Sequence, residues 1–239
     1  MQVMNRFCSA LAAAILTTAV LAGSASATEI ELGNTTTPVT APSCPPGLPA
    51  TECAIVLTQV TAMETIRDGV NYPTTVKTAG EVVAFTIGIS GISNNARTFN
   101  KDVNYLDARF GGPPEAALTV LRPTGPRSSF RWAVAAESAP FPLLHYVGEV
   151  AQFPLVQPLP VVPGELIGVT VPTWAPVLSI DLTANKFAYR QSRSTACTSL
   201  SANVLAQLTI GDSAGYGCNY TGTRIEYSAT EITAPTPTK

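Results

Sequence analysis

From Leu159 to Leu182 the chain reads LPVVPGELIGVTVPTWAPVLSIDL, and this stretch constrains the fold more than any other. Pro163-Gly164-Glu165 predicts a turn, because proline presets φ for its early position and glycine accepts the left-handed one that follows. In the run after it, Ile167, Val169 and Val171 fall on one side and Leu166, Gly168 and Thr170 on the other, the period-two pattern of a half-buried strand. Pro172 has no N–H to donate, so the ladder is expected to stop there. After Thr173-Trp174-Ala175-Pro176 the alternation resumes, with Leu178, Ile180 and Leu182 opposite Val177, Ser179 and Asp181. Two apolar strands bounded by proline and glycine imply antiparallel pairing with one face on a core.

The 239 residues allow a core of ordinary size in one large domain or two small ones. Charged residues make up 13% of the chain, against about 25% in a typical globular protein. The formal net charge is −2, so no whole-molecule field draws in nucleic acid or anionic lipid. The N-terminus reads as an export leader: one positive charge before Phe7, an apolar run from Phe7 to Leu21, and a small-x-small site at Ala25-Ser26-Ala27. A signal peptide over 1–27 leaves an exported chain starting near Thr28. No cysteine follows the apolar run at lipoprotein spacing, and no transmembrane anchor is expected.

Cys8 departs with the leader, leaving Cys44, Cys53, Cys197 and Cys218 for an oxidising compartment. Three pairings are open, and proximity favours Cys44–Cys53 with Cys197–Cys218. Each bridge would contribute about 3 kcal/mol at most by loop entropy. A zinc site is the weaker reading: there is no Cys-x-x-Cys, and the lone His145 lies far off in sequence.

Residues 28–53 are rich in proline and threonine and predict an extended arm. The body, 54–233, begins with a core strand in AIVLTQVTAM, followed by a turn-rich segment over 64–77. In EVVAFTIGIS, Val83, Phe85, Ile87 and Ile89 are expected on one face. Residues 91–115 stay open between a long loop and a short helix ending at Gly111-Gly112. AALTVLR and FRWAVAA read as paired strands with Trp132 and Val134 inward. Leu143–Val147, Ala151–Val156, Val204–Ile210 and TRIEYSATEI are further strands, Lys186–Cys197 a polar loop, and 234–239 a flexible tail. Nine or ten short, evenly spaced strands with no convincing helix indicate an all-β antiparallel sandwich or barrel.

Three segments carry a resemblance: TTVKTAGEVVAF at 74–85, LTVLRP at 118–123 and LPVVPGELIG at 159–168. Their order is similar to that in secreted bacterial jelly-roll-like domain proteins of uncharacterised function, over roughly residues 54–232. These are turn and core residues, so the resemblance implies a jelly-roll-like sandwich and no activity. Glu81 and Glu165 depart from the small or aspartate residues usual in that group.

Candidate sites follow. His145, in PLLHYVGE, is the one histidine a hydrolytic triad could use, but no G-x-S-x-G accompanies it. Glu137, Glu149 and Asp181 are candidate carboxylates for glycoside cleavage, expected on strand ends or outward faces. Asp102 and Asp107 are a weak calcium pair, without the fuller oxygen set that ion needs; no other cofactor is expected. Arg122, Arg127 and Arg131 at one turn, with Lys186, Arg190 and Arg193 in another segment, are basic groups that could meet an anionic polymer or simply be solvated. The candidate ligand-binding residues are Trp174, in a proline-bounded bend suited to a sugar ring or to capping the core, and Tyr216 and Tyr220 beside a cysteine. The expectation is a secreted, non-catalytic module binding an extracellular glycan or cell-wall component. A structural protein of the envelope or matrix is the alternative, and a hydrolase comes last.

Overall fold

The structure, a computed structural model, describes residues 27–47, 55–197 and 204–233. The expected leader through residue 26, Cys53 and the expected tail from residue 234 lie outside the described residues. The chain is built from β1 (Glu29–Leu32), β2 (Leu57–Arg67), β3 (Val70–Asn71), β4 (Gly80–Gly88), α1 (Ala96–Phe110), β5 (Glu115–Pro123), β6 (Arg131–Glu137) and β7 (Phe141–Pro142). It continues through β8 (Val150–Val161), β9 (Leu166–Ala175), β10 (Leu178–Ser179), β11 (Phe187–Gln191), β12 (Ser213–Gly215), β13 (Asn219–Thr221), β14 (Arg224–Ile225) and β15 (Tyr227–Thr233).

All pairings between strands are antiparallel. The larger sheet runs β12-β6-β5-β9-β2-β11-β13 and the smaller one β1-β15-β4-β8. Between them lies one apolar core, with Leu57, Val60, Val120, Ile167, Val169 and Val171 from the larger sheet and Phe85, Ile87, Phe153 and Tyr227 from the smaller. The expected alternation of β9 therefore holds on its inner face. Its outer face is buried as well: Leu166 joins Met63, Leu121, Trp132, Val134 and Tyr216 in a second cluster, roofed by the segment after β11. Trp132 and Val134 are buried as expected, but on this second face.

Several elements differ from the sequence reading, each for a local reason. β9 continues through Pro172 because the register against β2 slips there: Val171 faces Val60, and Trp174 faces Thr58. Pro172 thus sits in a bulge, where no ladder bond is asked of it. β2 likewise runs on through Glu64–Arg67, then turns tightly at Asp68-Gly69, both at positive φ (52° and 81°), as a two-residue hairpin requires. In β4 a bulge at Val83 against β15 puts Val82 in the core instead. Lys186–Cys197 is not a loop throughout: Phe187–Gln191 is a strand between β2 and β13, with Phe187, Ala188 and Tyr189 buried. Leu143–Val147 contains a 3-10 turn at Leu144–Tyr146 instead of a strand. Val204–Ile210 makes one bridge, Leu205 to Val60, and no strand.

The open segment 91–115 contains a 15-residue helix, contrary to the absence of any convincing helix in the sequence. Asn95 caps its start, its Oδ1 accepting from the backbone N–H of Arg97 (3.0 Å) and Thr98 (3.1 Å). Gly111, at φ 87°, ends it. No helix among the described residues is long and apolar enough to cross a membrane.

Candidate functional site

Trp174 sits at the end of β9 with its side chain fully buried against Val103 and Phe110 of α1. Its indole N–H donates to Asp107 Oδ1 (2.9 Å) and to the Gly112 carbonyl (3.1 Å). The ring pins the helix to the sheet, and no face of it is open to a sugar. Tyr216 is also fully buried; its hydroxyl donates to Gln207 Oε1 and its ring meets Trp132 edge-on at 5.2 Å. Tyr220 is half-buried, stacked on Tyr189 at 4.7 Å, and donates to the Cys197 carbonyl. Of the two roles open to these residues, Trp174 takes that of capping the core, and Tyr216 and Tyr220 pack against neighbouring rings.

The other candidates scatter. His145, Glu149 and Asp181 are exposed, and Glu137 is half-buried, accepting from the Thr119 hydroxyl at 3.1 Å. Burial raises the Glu137 carboxyl against the hydrogen bonds of Thr170 and Thr119. Asp102 and Asp107 lie on α1 instead of in a loop, and Asp107 is engaged by Trp174. Among the described residues no three His, Cys, Asp or Glu side chains converge to hold a metal. Cys197 and Cys218 form a disulfide; Cys44 is disulfide-bonded too, while Cys53 lies outside the described residues. Arg190 is committed to the fold, lying 3.9 Å over the Phe130 ring and donating to the Tyr216 carbonyl. Arg122 makes a forked pair with Glu165 (2.9 and 2.7 Å), whose other oxygen accepts the Val162 N–H. Glu165 thus closes its own turn, which accounts for glutamate at that position.

A different set of residues comes together where the two sheets meet the N-terminal arm. Glu64 and Arg67 project from the end of β2, and Arg224 and Glu226 flank the break between β14 and β15; all four are buried. Arg67 donates to Glu64 at 3.3 Å, the Arg224 Nε lies 3.9 Å from the other Glu64 oxygen, and the Arg224 Nη2 forms an ion pair with Glu226 Oε2 at 3.1 Å. The result is an alternating row of two guanidiniums and two carboxyl groups. Arg67 also donates to the Tyr227 carbonyl (2.8 Å), but its Nε–H, the Arg224 Nε–H and one Glu64 oxygen have no hydrogen-bond partner among the described residues. Burial pushes the Glu64 carboxyl up to about 8, Arg67 pulling it down and Glu226 pushing it further up. Glu226 is raised by burial against the hydrogen bonds it accepts from Ser179 and Thr40.

The arm closes over this row. Asp68, in the β2–β3 turn, accepts from the Thr35 hydroxyl (2.6 Å), the Thr37 N–H (2.7 Å) and the Thr37 hydroxyl (2.6 Å). Burial raises the Asp68 carboxyl, but these hydrogen bonds together outweigh it and hold the group at about 2. Farther along, Arg224 donates to the Pro38 carbonyl (2.8 Å) and Glu226 accepts the Thr40 N–H (3.1 Å). Gly88 lies beneath, and a Cβ there would collide with the Thr40 carbonyl. Beside the arm is a cleft of about 250 Å³, lined by Glu31, Thr37, Thr86 and Ser228 together with Pro38, Val150 and Arg67. Glu31 is held in place by the hydroxyls of Ser228 and Thr230.

Sequence reasoning missed this site because its charged residues alternate with apolar ones inside ordinary strand patterns. The usable signal was the paired spacing of Glu64 with Arg67 and Arg224 with Glu226, in a chain so poor in charge. No family model matches the chain, and neither a curated protein nor a solved structure does.

Proposed function

We propose that the chain is an exported, non-catalytic binding module with a jelly-roll-like sandwich, and that its recognition site is the cleft beside the N-terminal arm. The carrying observation is the cleft's lining, in which Glu31, Thr37, Thr86 and Ser228 stand beside apolar Pro38 and Val150. That mixture suits a polyhydroxylated ligand such as a cell-wall glycan, whose hydroxyls pair with carboxylate and threonine oxygens while ring carbons rest on the apolar side. Export is supported by the leader-like N-terminus and by the Cys197–Cys218 bridge. The test is binding to a glycan panel and to isolated cell walls, by the wild type and by Thr86→Trp, which fills the cleft from its wall. Binding that disappears in the filled variant supports the reading. Equal binding by both, or none by either, defeats it.

A structural or interaction protein is a second reading, favoured by one observation. In the segment roofing the larger sheet, polar Gln207 turns inward, donating to the Asp212 carbonyl (2.7 Å), while Val204, Leu208 and Ile210 are left exposed. An inside-out loop of this kind is what a protein partner would cover. Triple replacement by serine should then abolish co-purification with that partner without changing the fold.

A further inference from the structure

We propose that the N-terminal arm, residues 29–40, is an exchangeable strap: it seats either in its own chain's groove or in the groove of a second copy, and in the latter case links the two. The groove grips an extended backbone. In an extended segment the carbonyl of one residue and the N–H two residues on point the same way, and the Arg224–Glu226 pair takes the Pro38 carbonyl and the Thr40 N–H. Asp68 reads the two threonines just before them, and Gly88 leaves room for the main chain to press close. β1 adds four residues of ladder along β15, on the edge of the smaller sheet.

Every one of these contacts joins the arm to the body. None depends on which chain supplies the arm, so the same bonds form in cis or in trans. Seated and exchanged forms therefore differ only through the tether and the concentration of copies. The tether begins after Thr40, where Pro42, Pro45 and Pro46 favour extended, semi-rigid chain and Cys44 is disulfide-bonded. A short flexible tether gives an effective concentration in the millimolar range, and one too stiff to fold back gives less. Exchange should thus be negligible at about 1 μM and compete with cis seating near about 1 mM, the crowding met when copies are packed along a surface. The proposal does not rest on what occupies the cleft, which the arm's Glu31, Thr37 and Pro38 wall in either seating.

The test uses the chain from Thr28 carrying Thr35→Lys, which places an amine beside Asp68. Isotopically heavy and light pools are mixed in urea with disulfides intact, refolded together at increasing concentration, and coupled with a zero-length carbodiimide. Peptides joining position 35 to Asp68 are then sorted by mass. Mixed heavy–light pairs rising from background at about 1 μM toward the half that random pairing gives at about 1 mM are expected. Gly88→Val, which unseats the arm, should return them to background. Only same-mass pairs at about 1 mM would overturn the proposal, and so would an absence of coupling to Asp68 in any chain, since the seat itself would then be wrong.

Discussion

Replacing Asp68 by asparagine isolates how much the arm owes to one carboxylate. The group is held at about 2 against an ordinary 3.8. Each pKa unit corresponds to about 1.4 kcal/mol, so the ceiling on its contribution is about 2.5 kcal/mol. Asp68 is only partly buried, and solvent screening brings the expected value down to about 1 kcal/mol. In a domain of this size that is a fall of roughly 2–4 °C in Tm. Because the folded pKa is depressed, the contribution is complete above about pH 5 and drains away as the pH falls toward 2. Asp68→Asn should therefore melt below the wild type at pH 7 and nearly with it at pH 2, followed by circular dichroism in matched buffers. Equal melting at pH 7 would refute the account, and so would a gap that persists unchanged at pH 2.

Other consequences can be checked alongside. Glu64, Glu226 and Glu231 all have carboxyls raised by burial, so the folded chain holds protons that the unfolded chain has released. Stability should fall as the pH rises from about 4.5 toward 8; urea midpoints at pH 5 and 8 should show this, and Glu64→Gln should flatten the trend. Trp174→Ala removes the ring that pins α1 and should lose about 3–5 kcal/mol, with hydrogen exchange quickening over 96–110; protection left intact there would contradict the packing role. Opening the Cys197–Cys218 bridge, with a sequence separation of 21, by a double serine replacement should cost about 3 kcal/mol in a denaturant titration. Gly168→Ala puts a Cβ 2.7 Å from the Ala62 carbonyl and 3.0 Å from Leu121 and should destabilise the centre of the larger sheet by about 1–3 kcal/mol.

What the sequence shows plainly is whatever follows from period two and from turn chemistry. Ile167, Val169 and Val171 share the inner face as their alternation requires, and Gly164 takes positive φ in its turn. The pattern misleads where one residue is inserted or omitted. The bulges at Val83 and at Pro172 each shift which side chains face the core, and a proline that looks like a stop becomes harmless inside one. β11 is hidden because its polar members find partners across space: Gln191 donates to Tyr220 and Arg190 to the Tyr216 carbonyl. α1 is half-visible in Asn95 and Gly111, but its faces are mostly polar and only Val103 and Phe110 are buried. The candidate site was hardest to see. Trp174 and Tyr216 carry the same aromatic signal whether a ring faces a ligand or a neighbour, whereas the ion row takes shape only once two sheets bring β2 against β14 and β15.

The two borders of the smaller sheet are chemically unequal. On one, β8 carries Pro154, Pro158 and Pro160 and balloons outward between Pro154 and Leu159, lifting Val156 into solvent. A visiting strand finds missing donors and a broken outline there. The opposite border is β1, the part proposed to travel. Lateral growth is thus hindered on one flank and governed on the other by a piece of the chain itself: mutual exchange between two copies leaves neither an arm nor a groove over, whereas a one-way relay adds copies until a ring closes.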